Sequence, residues 1–299
     1  MHQQSSETLL FVGCATLDSI ALVQDYPSAD SRTVAADFAT AGGGPAATAA
    51  VAAARAGAKA AFAGVVGVDE EGDRIISGLE AEGVDTSAVI RNPGVSTGAS
   101  VIVVSRSTES RAIVTRPVPP VHFPAGSRFH ELVRRAAWVH VDQLGWNAVA
   151  NLPGLRISVD AGNPIPSFSP EGVALYVPTI ERLRAEYGDD LSPEALVQKA
   201  VDGGASAVVA TAGSEGAWGL ERGGIPFHVP ATPAEIVSTL GAGDVYHGAI
   251  LAAVAAGLPL REASAFASRT ASASCAGLDG RSMIPRQAIT PASTTNHTV

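Results

Sequence analysis

Short apolar runs of strand length recur along the chain. The first, Thr8 to Ala15, is continuous rather than alternating, which marks a strand covered on both faces. Asp18 follows, past the expected carboxyl end of that strand, where open α/β sheets place ligand-binding groups. From 19 to 40 the pattern breaks into short β-like pieces around Pro27, with Asp25 and Asp30 among them, and reads as an antiparallel excursion from the main sheet. Ala60 to Val68 reads as the next strand, and Asp73 to Glu82 as a helix stopped by Gly83. Ala99 to Val104 and Ala112 to Thr115, joined by the polar turn SRSTES, form a hairpin that adds to the excursion and makes a small sheet. Arg111 and Arg116 lie at the ends of its second strand, either solvated or facing a ligand.

From Ala136 onward strands and helices alternate. The runs AAWVHVD, LRISVD, VALYVP and SAVVAT are buried-strand patterns separated by helical or turn segments, which implies a parallel sheet with helices on both sides. The fold class is therefore a three-layer α/β/α sandwich on a mostly parallel, Rossmann-like sheet, with a small β sheet appended. Residues 8–18, 41–98 and 117–290 make the core, 19–40 and 99–116 the small sheet, and 291–299 a disordered tail.

Two glycine-rich stretches carry candidate chemistry. Ala41-Gly42-Gly43-Gly44-Pro45 opens a long Ala-rich helix, with Pro at the first helical turn. Its N–H groups suit a sugar hydroxyl or a phosphate, and a plain turn is the alternative; it does not form the G-x-G-x-x-G dinucleotide fingerprint. In IVSTLGAGDVYHG (236–248), Gly241 and Gly243 let backbone N–H groups approach a ligand, and a helix N-terminus adds partial positive charge. Asp244, the one acid there, is placed to take a proton from a nucleophile; the bland alternative is a Gly-rich turn with Asp244 as helix cap. A third stretch, Thr211 to Gly216, follows a strand end and suits either a nucleotide phosphate or a simple turn.

Composition narrows the classes. The 299 residues are 46% hydrophobic but only 5% aromatic, so the core must be built from Ala, Val, Ile and Leu in close contact. A net charge of −9 without Lys or Arg runs argues against nucleic acid and anionic membranes as partners. Cys14 and Cys275 make neither a zinc site nor a disulfide framework, and the seven histidines lack ligand spacing. The apolar run ending at Cys14 has no Lys or Arg before it, and no run reaches membrane-spanning length. The expected location is the cytoplasm.

With Gly-Gly-Gly-Pro early and Ser-Thr-Leu-Gly-Ala-Gly-Asp late, the chain from about Leu9 to Pro285 resembles the ribokinase-like (PfkB-type) carbohydrate kinases. Within the family, LDSIALVQDYPSADS is similar to ketohexokinases and GGGPAATAAVAAARAGA to 6-deoxy-6-sulfofructose kinases. The resemblance implies ATP-dependent phosphorylation of a sugar hydroxyl, with the small sheet as a lid that mediates a homodimer. It implies Asp244 as general base and the backbone of Gly241, Ala242 and Gly243 as an anion hole. Asp18, Gly43, Gly44, Thr48 and Arg111 would meet the sugar, and Asp30 would come from the lid, in one version that of a neighbouring subunit. Thr211, Gly213 and Gly216, with Gly241 and Gly243, would line ATP. Mg2+ is implied with ATP, without assigned ligands: Thr179 to Arg182 stand where the family carries N-x-x-E. Ser238 replaces the acid that helps bind a monovalent cation, so that cation is not carried over. Thr115 and Leu144 stand where sulfofructose kinases would use Asn and Arg for the sulfonate. A nucleoside kinase on the same scaffold and a non-catalytic sensing relative are the rival readings.

Overall fold

The computed structural model describes residues 8–289; the tail expected at 291–299 lies outside the described residues. The first half runs β1 (Thr8–Val12), β2 (Thr16–Val23), β3 (Asp37–Gly43), α1 (Pro45–Arg55), β4 (Ala60–Ala63), β5 (Val65–Gly67), α2 (Glu70–Ala81), β6 (Ile90–Asn92), β7 (Ala99–Ser105) and β8 (Ser110–Arg116). The second half runs α3 (Arg128–Arg135), β9 (Ala136–Val141), α4 (Trp146–Val149), β10 (Ile157–Ala161), β11 (Leu175–Pro178), α5 (Ile180–Tyr187), α6 (Pro193–Asp202), β12 (Ala207–Thr211), β13 (Ala217–Glu221), β14 (Phe227–Val229), α7 (Ala242–Ala255) and α8 (Leu260–Ser274).

Eight strands form the main sheet in the order β14-β13-β12-β11-β10-β9-β1-β4. The run from β12 to β4 is parallel, and β13 and β14 add antiparallel at one edge. The continuous apolar runs have a direct cause in this arrangement. Alternate residues of β1 point to opposite faces, Leu9 and Phe11 into one core and Leu10 and Val12 into the other, so neither face tolerates a polar side chain. Helices α1, α2, α7 and α8 cover the first face, and α3, α5 and α6 the second. This is the three-layer α/β/α sandwich expected.

The small residues of α1 and α7 set how close these two helices lie. A Cβ at Gly248 would overlap the backbone carbonyl of Ala49, so the helices meet backbone to backbone there. Gly248→Ala must push them apart. The expected cost is about 1–3 kcal/mol, the usual range for overpacking a tight core, read as a lower Tm in thermal unfolding.

The smaller sheet has the order β3-β2-β7-β8, with β2 parallel to β7 and the other pairs antiparallel. Four boundaries differ from expectation. The stretch from Ala60 to Val68, read as one strand, divides into β4 of the main sheet and β5, which pairs with β6. The first strand stops at Val12, not Ala15, because the chain turns at Gly13 (φ 151) and enters β2 at Thr16. Asp18 therefore lies within a strand of the small sheet, opposite Ser100 and Ala41, rather than beyond the end of the first strand. Gly42 and Gly43 likewise belong to β3, and only Gly44 is the turn. At the second helix Asp69 accepts the Gly72 N–H at 2.9 Å, and this cap starts α2 at Glu70 rather than Asp73.

Candidate active site

The two glycine-rich stretches meet at the carboxyl edge of the main sheet. Gly44, with φ 89, ends β3 and caps α1, and a Cβ there would lie 2.5 Å from the Cys14 carbonyl. Only glycine fits this turn. Gly241 (φ 71) caps α7, whose first turn holds Asp244. Between them lies a cavity of about 320 Å³, lined by Asp18, Gly43, Gly44, Thr48, Gly241 and Asp244, with Cys14, Thr16, Ser100, Thr115, Gln143, Asn163 and apolar Ile20, Ile102 and Ile113. A larger depression on the opposite face of the small sheet, beside Arg74 and Arg116, contains neither Asp18 nor Asp244.

Asp18 is 7% exposed, and its Oδ1 is buried without a hydrogen-bond partner. Burial raises its carboxyl above the ordinary range, opposed by the hydroxyls of Thr16 and Ser100 and the charge of Arg281. A buried acceptor left open in a cavity is costly unless a ligand donates to it. Asp244 is half-buried, with one side open to the cavity. Loss of water around it pushes its carboxyl up to about 7; Asp160 and Asp142 push the same way, and His247 and Arg281 oppose them.

At the start of α7 the N–H groups of Gly241, Gly243 and Asp244 make no hydrogen bond among the described residues. Ala242, expected among the anion-hole donors, instead turns its N–H to the Thr239 carbonyl at 3.3 Å, because the chain tightens into a turn just before the helix. Arg111 reaches across from β8 to that same loop, donating to Thr239 Oγ1 at 3.1 Å, and stays outside the cavity lining. Asp30 sits in the exposed segment between β2 and β3 and does not line the cavity either. Thr211 ends β12, and Gly213 and Gly216, both with positive φ, form the 3-10 turn after it. This turn belongs to the same sheet edge, several strands from the cavity.

Three side chains absent from the sequence-based candidates organise the site. Arg281 is half-buried; its guanidinium donates to the Gly43 carbonyl at 2.9 Å and to Thr48 Oγ1 at 3.1 Å, and its charge is felt by Asp18 and Asp244. Burial draws it down to about 10, so it remains a cation. Asp142, at the end of β9, accepts the N–H groups of Cys14, Ala46, Leu144 and Gly145 at 2.7–3.2 Å. His247 lies on α7 beneath Asp244, against Asp160. For Asp142 and His247 the signals were present in the sequence: an acid at the end of a buried strand, and a polar residue three after Asp244 on the same helix face.

Ser238 and Thr179 have local tasks. Ser238 Oγ accepts the Leu240 N–H at 3.1 Å, and Thr179 caps α5 by accepting from Arg182 at 3.1 Å. Among the described residues no three His, Cys, Asp or Glu side chains gather as a metal site. No helix among them is long and apolar enough to cross a membrane.

A parallel sheet that brings a glycine-lined helix N-terminus, a carboxylate and a cavity together at its carboxyl edge can hold an anionic group beside a proton acceptor. The chain belongs to the pfkB family of carbohydrate kinases, whose sequence pattern matches residues 6–127 and 164–286. It is 28% identical to ketohexokinase from Mus musculus over 295 residues, covering 91% of this chain and 97% of that protein. It is 26% identical to ribokinase from Bacillus subtilis, covering 92% and 94% respectively. Its fold is similar to the crystal structure of a putative ribokinase from Agrobacterium tumefaciens, with TM-score 0.83, 27% identity and coverage of 93% and 94%. It is also similar to Arabidopsis thaliana ribokinase complexed with ribose and ATP, with TM-score 0.78, 23% identity and coverage of 93% and 96%.

Proposed function

We propose that the protein transfers the γ-phosphoryl group of ATP to a hydroxyl of a neutral ketose or hexose-like sugar, with Asp244 as general base. The observation that carries this reading is the cavity itself. It is lined by two carboxylates, with the Arg281 guanidinium held behind Gly43 and Thr48 rather than in the lining, and one of its carboxylate oxygens, Asp18 Oδ1, is buried and unpartnered. Such a wall accepts hydroxyl protons and repels a sugar phosphate or sulfonate.

In this reading Asp18, with Gly43, Gly44 and Thr48, holds the sugar, and Asp244 removes the proton of the attacking hydroxyl. The free N–H groups of Gly241, Gly243 and Asp244 meet the charge that spreads over the transferring phosphoryl group. Thr211, Gly213 and Gly216 line the rest of ATP along the sheet edge, and magnesium arrives on the ATP phosphates as part of the substrate. The small sheet serves as the lid. Its outer face exposes Phe38, Val101 and Val114, which fit a second copy of the chain in a homodimer. Arg111 and Asp30 would join the site as the lid closes.

A nucleoside acceptor is the second reading, but no aromatic side chain lines the cavity among the described residues to stack a base. ADP release measured over neutral ketoses and aldoses, sugar phosphates, sulfosugars and nucleosides tests the proposal. We expect turnover with a neutral sugar, and Asp18→Ala should raise the KM for it at least tenfold. Preference for a nucleoside or an anionic sugar refutes the assignment. Ligand-induced stabilisation without ADP release identifies a non-catalytic binder.

A further inference from the structure

His247 lies on α7 three residues after Asp244 and is 4% exposed. Its Nδ1 stands 2.6 Å from the Gly243 carbonyl oxygen and 3.4 Å from Asp160 Oδ2. Its Nε2 stands 2.9 Å from the Val177 carbonyl oxygen at the end of the main sheet. Carbonyl oxygens only accept hydrogen bonds, so each ring nitrogen must bring a hydrogen. A neutral imidazole has one. A protonated Asp160 donating to Nδ1 does not rescue the neutral ring, because the Nδ1 lone pair would then also face the Gly243 oxygen.

We propose that His247 is held as a buried imidazolium beneath the anion hole and acts as a positioning residue for phosphoryl transfer. The inference rests on the reading of Asp244 as the base. Its positive charge favours the ionised carboxylate of Asp244 one turn away. It also acts through the backbone: the Gly243 carbonyl and the Asp244 N–H are two ends of one peptide unit. A charged N–H bonded to that oxygen polarises the peptide and makes the Asp244 N–H a stronger donor to the phosphoryl group.

The surroundings explain why a cation belongs here. Asp160 faces the ring from β10 and Asp244 from its own helix; Asp142, at the end of β9, acts on Asp244 and Asp160, and Asp18 lies across the cavity on β2. Arg281, with Asp279 beside it, is committed on the far side to Gly43 and Thr48. His140 on β9 approaches with ring centroids 5.9 Å apart; burial, and next the charge of His247, hold it well below the ordinary histidine range, so it is neutral. The contacts of α8 and α1 with α7 include the uncharged pairs Ser264 with Tyr246 and Ala49 with Gly248. His247 is thus the cation on the sheet side of the carboxylate cluster.

Two measurements test this. In 15N-edited NMR of the intact protein at pH 7.5, the His247 ring, assigned by its loss in His247→Gln, should show two N–H groups. A single ring N–H overturns the proposal. In kinetics, His247→Gln keeps a neutral donor toward Val177 but removes the charge. The acid limb of kcat/KM for the accepted sugar should move up by about one pH unit, so that activity below the limb falls about tenfold and recovers toward the parent at high pH. A limb unmoved within 0.3 of a pH unit, roughly a twofold effect, overturns the positioning role. If Asp244→Asn keeps parental turnover, the base assignment fails by itself, while the count of ring protons still decides the charge of His247.

Discussion

Asp244→Asn should lower turnover by about 10²–10⁴-fold, the span associated with loss of a general base, while ATP still binds and the fold is kept. The size of the effect follows from where the side chain stands. Asp244 is the acid in the first turn of α7, beside N–H groups free to hold a phosphoryl oxygen, and it faces the same cavity as Asp18. Asparagine keeps the shape and the polarity but takes no proton. The same residue sets the pH profile. Its carboxyl is pushed up to about 7 by desolvation, and a base must be ionised to act, so kcat/KM should rise with pH through about 7 and level off above it. In Asp244→Asn that limb should disappear.

Stability supplies a control of opposite sign. Because the folded-state value lies above the ordinary 3.8, the folded protein holds this proton more tightly than the unfolded chain. The stability that Asp244 contributes in its protonated form is therefore present below about 4 and is lost as pH rises through about 7. At pH 8 the Asn variant should melt no lower than the parent. A variant that loses activity and also melts far below the parent would point to misfolding rather than a missing base. Turnover within threefold of the parent would remove Asp244 from the chemistry.

The sequence was most legible where the cause of structure is local. The buried strands from β9 to β12 announce themselves as continuous apolar runs because both faces of the sheet are covered. The glycines and Asp244 are read directly because the loop and the helix N-terminus are consecutive in the chain. The boundary between β1 and β2 was not legible: both open on Thr-Leu, only three residues separate them, and the turn at Gly13 assigns them to different sheets. Arg281 was missed for another reason. Its partners Thr48 and Gly43 are 233 and 238 residues away in sequence, so its place beside the site is a product of the finished fold. His247 shows both sides. Its place one turn after Asp244 is written in the sequence, but its carbonyl partner Val177 comes from β11, 70 residues away.

Asp142→Asn should be the most damaging single substitution for the folded state, with an expected loss of about 3–5 kcal/mol, as when one partner of a buried charged network is removed. Asp142 has no exposure, and burial raises its carboxyl to about 6 even though four N–H groups point at it, so it is largely ionised at pH 7.5. Its Oδ2 accepts from Cys14 and Ala46, and its Oδ1 from Leu144 and Gly145. One carboxylate thus joins the end of β1, the first turn of α1 and the loop after β9. Asparagine has nearly the same volume, but one oxygen becomes an NH2 group. Whichever way the amide turns, two backbone N–H donors then face another donor, and two buried N–H groups lose their acceptor. The damage should also reach the cavity, because Cys14 and the Gly44–Pro45 turn are held by these bonds and line it. Thermal unfolding should show a Tm lower by roughly 10 °C, using about 2–4 °C per kcal/mol for a domain of this size class. Sugar KM should rise in the fraction that remains folded. A Tm within 2 °C of the parent, well inside the roughly 10 °C expected, would mean that the four N–H groups find other acceptors and that Asp142 does not hold the site together.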